Sequence, residues 1–252
     1  MSVYSEIMRK LEKGKVHMTL IDPAAQSYRR GGEIAEEAQA AGTDFIMVGG
    51  STNIDTEGMD QCIDYIQQYS SLKVIIFPGS HSMISSRADA IYFMSLLNSR
   101  NPEFIIRQQA RGAVYIRKIG METIPMGYLV VEPGMTVGRV GEVDLIRKDD
   151  NERALSFAIA AEAFGMKFVY LEAGSGADYP VKENMISLVR SGISIPLIVG
   201  GGIRTAAAAR KIARAGADIV VTGTVAEKSA NVAKTLAPII TAVKSEVLID
   251  KI

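Results

Sequence analysis

The stretch PLIVGGGIRTAAAARKIARAGADIVVTGT, residues 196–224, decides the fold of this chain. It begins with a short apolar run, passes through three consecutive glycines and an alanine-rich helical pattern, and ends in a second apolar run. An apolar run followed by a helix and another apolar run is typical of a parallel strand–helix–strand unit. Because neither run alternates with polar residues, both strands are predicted to be covered on both faces. The stretch therefore predicts an α/β protein with a parallel sheet.

The same alternation extends over the rest of the chain. We predict eight strands, at residues 17–22, 45–49, 73–77, 90–97, 123–132, 168–173, 196–200 and 219–222. The clearest intervening helices are at residues 32–41, 59–69, 151–164, 184–190, 205–215 and 230–245. Eight such units in 252 residues match the size of one (β/α)8 barrel, the TIM barrel. Because no linker-like or low-complexity stretch interrupts them, we expect a single domain over residues 1–252.

Residue types at the helix ends agree with this assignment. Thr205 and the run KDDN (148–151) are typical of helix starts. Four predicted helices are followed within two residues by a glycine, and each glycine is predicted to end its helix in the left-handed conformation. These glycines are Gly42, Gly165, Gly192 and Gly216.

Composition and charge exclude several classes of protein. Lys+Arg and Asp+Glu number 28 each, so no overall field attracts nucleic acid or an anionic membrane. The single cysteine, Cys62, cannot form an intrachain disulfide and is expected to be a small buried apolar residue. The first residues do not resemble a signal peptide, and no run reaches the roughly 18 apolar residues of a membrane span. We expect a cytoplasmic protein.

Glycine-rich loops follow the last three predicted strands. In α/β barrels, phosphate commonly binds to the loops after strands seven and eight, against the start of a short helix. Here GGG (200–202) exposes backbone N–H groups after strand seven, and Thr205 is predicted to open a helix whose N-terminus suits an anion. Gly223 and Thr224 follow strand eight, and AGSGA (173–177) follows strand six. One such loop is often only a turn, but three at the same rim predict a phosphate site.

Four motifs together resemble a known family. YLEAGSG (170–176), TLIDP (19–23), GGGIR (200–204) and GT (223–224) are similar to those of geranylgeranylglyceryl phosphate synthase, the prenyltransferase family that makes the first ether bond of archaeal membrane lipids. The resemblance covers nearly the whole predicted barrel. Its specific part is YLEAGSG with TLIDP, whereas GGGIR and GT occur in many phosphate-binding barrels.

The resemblance implies a reaction and a set of site residues. The reaction is transfer of a geranylgeranyl group from its diphosphate to the 3-hydroxyl of sn-glycerol 1-phosphate, with release of diphosphate and with Mg²⁺ as cofactor. The implied glycerol phosphate site comprises Tyr170, Leu171, Glu172, Ala173, Gly174, Ser175, Gly176, Gly201, Gly202, Gly223 and Thr224. The implied magnesium positions are Asp22 and Ser51. The family also implies a homo-oligomer, a dimer or a hexamer, and its lipid product implies transient contact with a membrane.

The chemistry of these residues fits such a reaction. Asp22 ends the first predicted strand, where its carboxylate can share a magnesium ion with a diphosphate or can cap the turn before Pro23. Glu172 is the predicted base for the attacking hydroxyl, and burial is expected to raise its pKa, although it can also act by hydrogen-bonding the glycerol hydroxyls. Tyr170 faces the same way as Glu172 by strand alternation and can orient the acceptor. His81, in GSHS (79–82), either helps to hold the diphosphate or has a structural role.

Other residues permit more than one interpretation. Apolar side chains for a prenyl trough are predicted at Met83, Ile84, Tyr92, Phe93, Met94, Leu96, Phe104, Tyr128 and Val130, although any one of them can be barrel core. The basic residues of segment 104–118 and Arg29 with Arg30 are expected to form solvated faces or subunit contacts. The segment's basic residues are Arg107, Arg111, Arg117 and Lys118.

Three alternative functions remain at this stage. A synthase for a longer chain, such as heptaprenylglyceryl phosphate synthase, would carry the same motifs. A phosphosugar isomerase or lyase would share GGGIR and GT, but we find no strand-terminal lysine placed for a Schiff base. A catalytically idle phosphate sensor is disfavoured because Asp22 and Glu172 are both present.

Overall fold

Eight parallel strands close into a barrel in the computed structural model, which describes residues 1–50 and 54–246. The strands pair in chain order, and the eighth strand closes the barrel by pairing with the first. The strand bounds are Val16–Ile21 (β1), Phe45–Val48 (β2), Val74–Ile76 (β3), Ala90–Leu96 (β4), Glu122–Val130 (β5), Phe168–Glu172 (β6), Leu197–Gly200 (β7) and Ile219–Thr222 (β8). All eight predicted strands are confirmed, and the fold is the predicted (β/α)8 barrel.

Helices separate the strands and cover the outside of the barrel. Their bounds are Val3–Leu11 (α1), Tyr28–Ala41 (α2), Thr56–Tyr69 (α3), Gln108–Lys118 (α4), Met135–Val140 (α5), Asn151–Ala163 (α6), Glu183–Gly192 (α7), Ala206–Arg214 (α8), Thr224–Glu227 (α9) and Val232–Lys244 (α10). The described part of the chain also contains a short 3₁₀ helix at His81–Met83 and a π-helical turn at Glu103–Arg107. None of the helices in residues 1–50 and 54–246 combines the length and apolar character that crossing a membrane requires.

The six predicted helices are confirmed, and four more lie in parts of the chain left unassigned above. Helix α1 presents Val3, Ile7 and Leu11 to the barrel interior, and the carboxylate of Glu122 accepts hydrogen bonds from the N–H groups of Val3 and Tyr4 at 2.6 and 2.9 Å. The others are α4, preceded by the π-helical turn, and the short helices α5 and α9 after β5 and β8.

The predicted helix starts are confirmed, but one predicted helix end is wrong. The side chains of Asp150 and Thr205 accept from backbone N–H groups in the first turns of α6 and α8. Gly42, Gly165 and Gly216 adopt positive φ as expected. Gly192 does not, because α7 continues through it. It lies so close to Leu155 of α6 that a Cβ there would collide with that side chain, so the glycine allows two helices to pack closely.

Two layers of core lie on either side of the strands. Alternate residues fill the barrel interior, including Phe168 and Tyr170 of β6. The residues between them, such as Leu171, pack in the layer between the strands and the helices. Cys62 lies in this outer layer, where burial raises the pKa of its thiol to about 12, so it is the inert buried residue expected. Because all strands are parallel, their carboxyl ends meet at one rim of the barrel.

Candidate active site

Two cavities open at the carboxyl-terminal rim of the barrel. The larger has a volume of about 300 Å³ and lies between the strand ends, the 3₁₀ helix, α4 and α5. The smaller has a volume of about 40 Å³ and is formed by the loops that follow β6, β7 and β8. Four of the described residues line both, namely Leu20, Glu172, Ser175 and Gly223. The two cavities therefore adjoin, and Glu172 is the ionisable side chain at their junction.

The smaller cavity is built from the glycine-rich loops that the sequence singled out. Gly176, Gly201 and Gly202 line it with φ values of 78°, 82° and 71°, a left-handed conformation that glycine adopts without strain. A Cβ on Gly201 would also collide with the carboxylate of Glu172. All three positions therefore require glycine for their backbone conformation, and Gly201 requires it for close approach as well.

Two contacts connect the three loops around the smaller cavity. The hydroxyl oxygens of Ser175, after β6, and Thr224, after β8, lie 2.8 Å apart. The guanidinium of Arg204, after β7, donates from Nη2 to the carbonyl oxygen of Gly176 at 2.7 Å. The cavity is thus enclosed by hydroxyls, glycine backbone and one guanidinium, groups that suit a phosphate.

The helix that meets this cavity is not the predicted one. Thr205 accepts from the N–H of Ala208 at 3.2 Å and caps its own helix, and neither Thr205 nor Ala206 is among the described residues that line the cavity. Ile203 and Arg204 separate the glycines from the start of α8 and move that start away from the cavity. Thr224 and Val225, the first residues of α9, line the cavity instead.

Glu172 is buried at the end of β6, with only 6 % of its surface exposed. Burial raises the pKa of its carboxyl to about 6, although hydrogen bonds from the N–H of Gly174 and from the hydroxyls of Tyr170 and Tyr128 act in the opposite direction. The Gly174 nitrogen lies 2.6 Å from Oε1. A carboxylate with a pKa near 6 is suited to accept a proton at neutral pH.

The two tyrosines beside Glu172 belong to a fixed aromatic cluster. Tyr128 and Tyr170 are partners in the register of β5 and β6, and their ring centroids are 5.2 Å apart, edge to face. Phe77 packs edge-on against Tyr128 at 5.3 Å. Burial and the neighbouring Glu172 carboxylate raise the pKa of both phenols, so both stay protonated as hydrogen-bond donors.

The remaining predicted acceptor residues divide into backbone and side-chain groups. Leu171 and Ala173 direct their side chains into the outer core layer, so only their backbone can face a ligand at the rim. Gly174, with φ of 104°, uses its N–H to bind the Glu172 carboxylate. Tyr170, Ser175 and Thr224 line the smaller cavity. The assignment of all eleven residues to the acceptor stays a prediction.

Asp22 lies half-buried just beyond β1 and lines the larger cavity. Its Oδ1 accepts from the N–H of Ala24 at 2.9 Å, so the residue caps the following turn as well as facing the cavity. Glu227 of α9 lines the same cavity and accepts from the N–H of Asp22 at 3.0 Å. Burial raises the pKa of both carboxyls. Gly50 lies so close to the Asp22 carboxylate that a Cβ there would collide with it.

This arrangement fits a divalent cation that takes most of its ligands from a substrate. Residues 1–50 and 54–246 contain no group of three or more His, Cys, Asp or Glu side chains placed to bind a metal. Magnesium prefers hard oxygen ligands and commonly combines one or two carboxylates with substrate phosphates. Asp22 supplies such a carboxylate at the rim. Ser51, the other predicted magnesium position, lies outside the described residues.

The larger cavity contains most of the predicted prenyl trough. Of the nine predicted residues, seven line it, namely Ile84, Tyr92, Phe93, Met94, Leu96, Phe104 and Tyr128. Val130 and Met83 do not line it and are core residues, the alternative interpretation given for each of the nine: Val130 packs in the barrel interior and Met83 in the outer layer. The cavity is closed from outside the barrel by two helices: Gly112 and Ile116 of α4, and Val137 and Val140 of α5.

His81 is exposed at the mouth of the larger cavity, beside Gly79 and Ser80. Its backbone nitrogen and its Nδ1 lie 2.9 and 2.8 Å from Oε1 of Gln108, which orients the ring. A diphosphate-binding role for His81 stays a prediction. Arg111 pairs with Glu103 and is half-exposed, as expected for a solvated face.

Several site residues escaped the sequence analysis. Glu227 and Gln108 lie in short segments without a motif. Arg204 was visible inside GGGIR but received no role. Tyr128 was assigned to the trough, although alternation along β5 and pairing with β6 could have placed its hydroxyl beside Glu172.

The glycine-rich pocket follows the last three strands and shares a buried carboxylate with the neighbouring apolar cavity. These features define a phosphate-binding (β/α)8-barrel protein. The model of the PcrB family matches residues 8–242, and the chain belongs to this family.

Relatives of known name agree with the family match. The chain is 58% identical over 243 residues to the geranylgeranylglyceryl phosphate synthase of Picrophilus torridus, covering 96% of this chain and 100% of that protein. The crystal structure of (S)-3-O-geranylgeranylglyceryl phosphate synthase from Thermoplasma acidophilum, in complex with its substrate sn-glycerol-1-phosphate, superimposes with a TM-score of 0.95 at 54% identity, covering 98% of this chain and 100% of that one. The wild-type structure from Thermoplasma volcanium has the same TM-score and coverage at 56% identity.

Proposed function

We propose that this protein is a prenyltransferase that joins the 3-hydroxyl of sn-glycerol 1-phosphate to a geranylgeranyl group in an ether bond and releases diphosphate. The observation that carries the proposal is the position of Glu172, a buried carboxylate with a pKa of about 6 at the junction of a small glycine-rich cavity and a larger apolar one. A phosphorylated acceptor in the first and a prenyl chain in the second would meet at this side chain. The substrate in the T. acidophilum structure and the names of the relatives support this assignment over a phosphosugar isomerase or lyase.

The acceptor phosphate occupies the smaller cavity in this proposal. Backbone N–H groups of the loops carrying Gly201, Gly202 and Gly223, together with the hydroxyls of Ser175 and Thr224, hold its oxygens. The phosphate thereby fixes the glycerol, so that its 3-hydroxyl reaches toward Glu172 and the larger cavity. Fixed orientation of this kind lowers the entropic part of the barrier.

Glu172 accepts the proton of the attacking hydroxyl. The oxygen of that hydroxyl forms a bond to C1 of the prenyl group as the bond from C1 to the diphosphate oxygen breaks. The hydroxyls of Tyr128 and Tyr170 hold the carboxylate in place and keep its pKa from rising further. Positioned general bases typically accelerate such steps by about 10²- to 10⁴-fold.

The diphosphate lies at the rim between Asp22 and the segment that carries Gly79 and His81, all of which line the larger cavity. Magnesium, when bound by Asp22 and the diphosphate oxygens, supplies positive charge for the departing anion. Asp22 is oriented for this task by its hydrogen bond with Ala24 and by the Glu227 carboxylate, which fixes its backbone.

The apolar side chains of the larger cavity bind the prenyl chain and exclude water from the reacting carbon. With a volume of about 300 Å³, the cavity lies at the lower end of the size range of ligand sites. We also propose that the enzyme consists of a single domain and forms a homo-oligomer. It contacts a membrane transiently when the lipid product is released.

A product assay tests the proposed reaction. The protein is incubated with Mg²⁺, sn-glycerol 1-phosphate or its enantiomer sn-glycerol 3-phosphate, and labelled geranyl, farnesyl, geranylgeranyl or heptaprenyl diphosphate. We expect a lipid-extractable product with sn-glycerol 1-phosphate and the highest rate with geranylgeranyl diphosphate. A higher rate with heptaprenyl diphosphate would support the longer-chain synthase, and no product with any donor would contradict prenyl transfer altogether.

A further inference from the structure

The smaller cavity contains one cationic and one anionic side chain among the described residues that line it. The anion is Glu172, and the cation is Arg204. A phosphate that enters this cavity brings up to two negative charges close to the Glu172 carboxylate. Glycine N–H groups and hydroxyls supply dipoles only, so the full positive charge in the lining comes from Arg204.

Arg204 also connects two of the loops. Its Nη2 donates to the carbonyl oxygen of Gly176 at 2.7 Å, which joins the loop after β7 to the loop after β6. Ser175, next to Gly176, has its hydroxyl oxygen 2.8 Å from that of Thr224. The guanidinium of Arg204 thus holds the Gly176 peptide, and this peptide positions the neighbouring Ser175 hydroxyl at the cavity.

The ion pair of Arg204 with Asp178 is weak. Its Nη1 lies 3.8 Å from the carboxylate of Asp178, whose side chain is 93% exposed. Exposed pairs at such distances contribute little. A guanidinium has five N–H donors, and its planar fork matches two oxygens of a phosphate. Arg204 therefore keeps donor capacity beyond its contact with Gly176.

We propose that Arg204 is the cationic group of the acceptor-phosphate site and that it holds the Ser175–Gly176 loop closed on the bound phosphate. The residue acts on binding of the acceptor and has no part in the proton transfer at Glu172. This inference deepens the proposed function and rests on it for the identity of the acceptor, although phosphate binding itself can be measured without any prenyl donor.

The test combines steady-state kinetics with binding of inorganic phosphate. For Arg204→Gln we expect the KM for sn-glycerol 1-phosphate to rise at least tenfold, whereas kcat and the KM for the prenyl diphosphate change less than threefold. The dissociation constant of inorganic phosphate, measured by titration calorimetry, should rise by a similar factor. Arg204→Lys should recover part of the loss, since it restores the charge but not the fork.

Arg210→Gln is the matched control. Arg210 lies on α8, its side chain is 52% exposed against 47% for Arg204, and it forms an ion pair with Glu246 at 3.6 Å. We expect this variant to behave as the wild type. The proposal is overturned if Arg204→Gln leaves both the KM for the acceptor and the phosphate dissociation constant within twofold of the wild type, or if it lowers kcat without changing either. A wild type that binds phosphate through Arg204 but makes no lipid product would contradict the proposed function alone.

Discussion

The hydroxyl of Tyr128 lies beside the carboxylate of Glu172, the ionisable side chain that lines both cavities, and favours its charged form. Tyr128 belongs to β5 and Glu172 to β6, two strands that pair along their length. The pair connects the apolar cavity, which Tyr128 lines, with the carboxylate at the entrance to the glycine-rich cavity. The Tyr128 hydroxyl also lowers the pKa of the proposed base, against the larger effect of burial, which raises it.

The pH dependence of activity should report the pKa of Glu172. A base must be deprotonated to act, so kcat/KM of the wild type is expected to fall below pH of about 6. Removing the Tyr128 hydroxyl takes away a donor that favours the charged carboxylate. In Tyr128→Phe this fall of kcat/KM on the acid side of the pH profile, the acid limb, should therefore move to higher pH by about half a unit to one unit.

The acceptor phosphate itself titrates near pH 6, so a control is needed. Tyr92→Phe removes another buried phenol, whose hydroxyl contacts Met18 rather than Glu172. Its acid limb should move less than that of Tyr128→Phe. Equal profiles for the wild type and Tyr128→Phe would show that the limb belongs to another group.

Glu172→Gln should stabilise the protein at alkaline pH. The pKa of Glu172 is about 6 in the folded state, raised from an ordinary value of 4.5. The folded state therefore holds this proton more tightly than the unfolded state, and that contribution to stability is lost as pH rises through about 6. At pH 8 the ionised, buried carboxylate costs on the order of 2 kcal/mol.

Thermal unfolding of the two proteins at several pH values measures this difference. Glu172→Gln should have the higher Tm at pH 8, and the difference should shrink as pH falls toward 4.5. A difference in Tm that is the same at both pH values would contradict the raised pKa.

Asp22→Asn should separate turnover from acceptor binding. The variant keeps the size of the side chain but loses the charge proposed to bind magnesium with the diphosphate. We expect kcat to fall at least 100-fold, with the affinity for sn-glycerol 1-phosphate within threefold of the wild type, measured by calorimetry without donor. Asp64→Asn, which removes a surface carboxylate paired with Arg87, should change neither quantity. Near wild-type turnover of Asp22→Asn would contradict the metal assignment.

Gly112→Leu should shorten the preferred prenyl chain. Gly112 is buried on the face of α4 that lines the larger cavity, and a Cβ there would come within 2.6 Å of the Ile84 side chain. The added side chain must occupy cavity space or displace its walls. Relative to the wild type, kcat/KM for geranylgeranyl diphosphate should fall at least tenfold more than that for geranyl diphosphate.

Ala110→Leu is the control on the same helix, since Ala110 is exposed and lies outside both cavity linings. It should retain the wild-type preference. An unchanged preference in Gly112→Leu would show that the chain does not extend to α4.

The barrel could be predicted from the sequence because its strands are short apolar runs separated by strong turn signals. The glycines of the smaller cavity were equally visible, since their conformation restricts them to one residue type. Asp22 and Glu172 were named through the resemblance of TLIDP and YLEAGSG to the family, and their positions at the ends of strands agree with it. These are local properties, and each can be read from a few neighbouring residues.

Relationships between distant segments could not be read in this way. The contact of Arg204 with Gly176 joins loops 28 positions apart, and the hydrogen bond between Asp22 and Glu227 spans 205 positions. The helix that lines the smaller cavity was missed for a related reason, because the start of α8 depends on how Ile203 and Arg204 extend from the barrel. Gly192 shows the same effect: its role is set by Leu155 of a neighbouring helix rather than by its own helix end.

The single-turnover rate of Glu172→Gln tests the central claim most directly. With enzyme in excess over donor and saturating sn-glycerol 1-phosphate, this rate reports the chemical step apart from product release. The account predicts a fall of about 10²- to 10⁴-fold relative to the wild type, with acceptor binding retained. Glu183→Gln, the same substitution at a surface pair with Lys211, should keep the wild-type rate. A rate for Glu172→Gln within threefold of the wild type would contradict the assignment of Glu172 as the base between the two cavities.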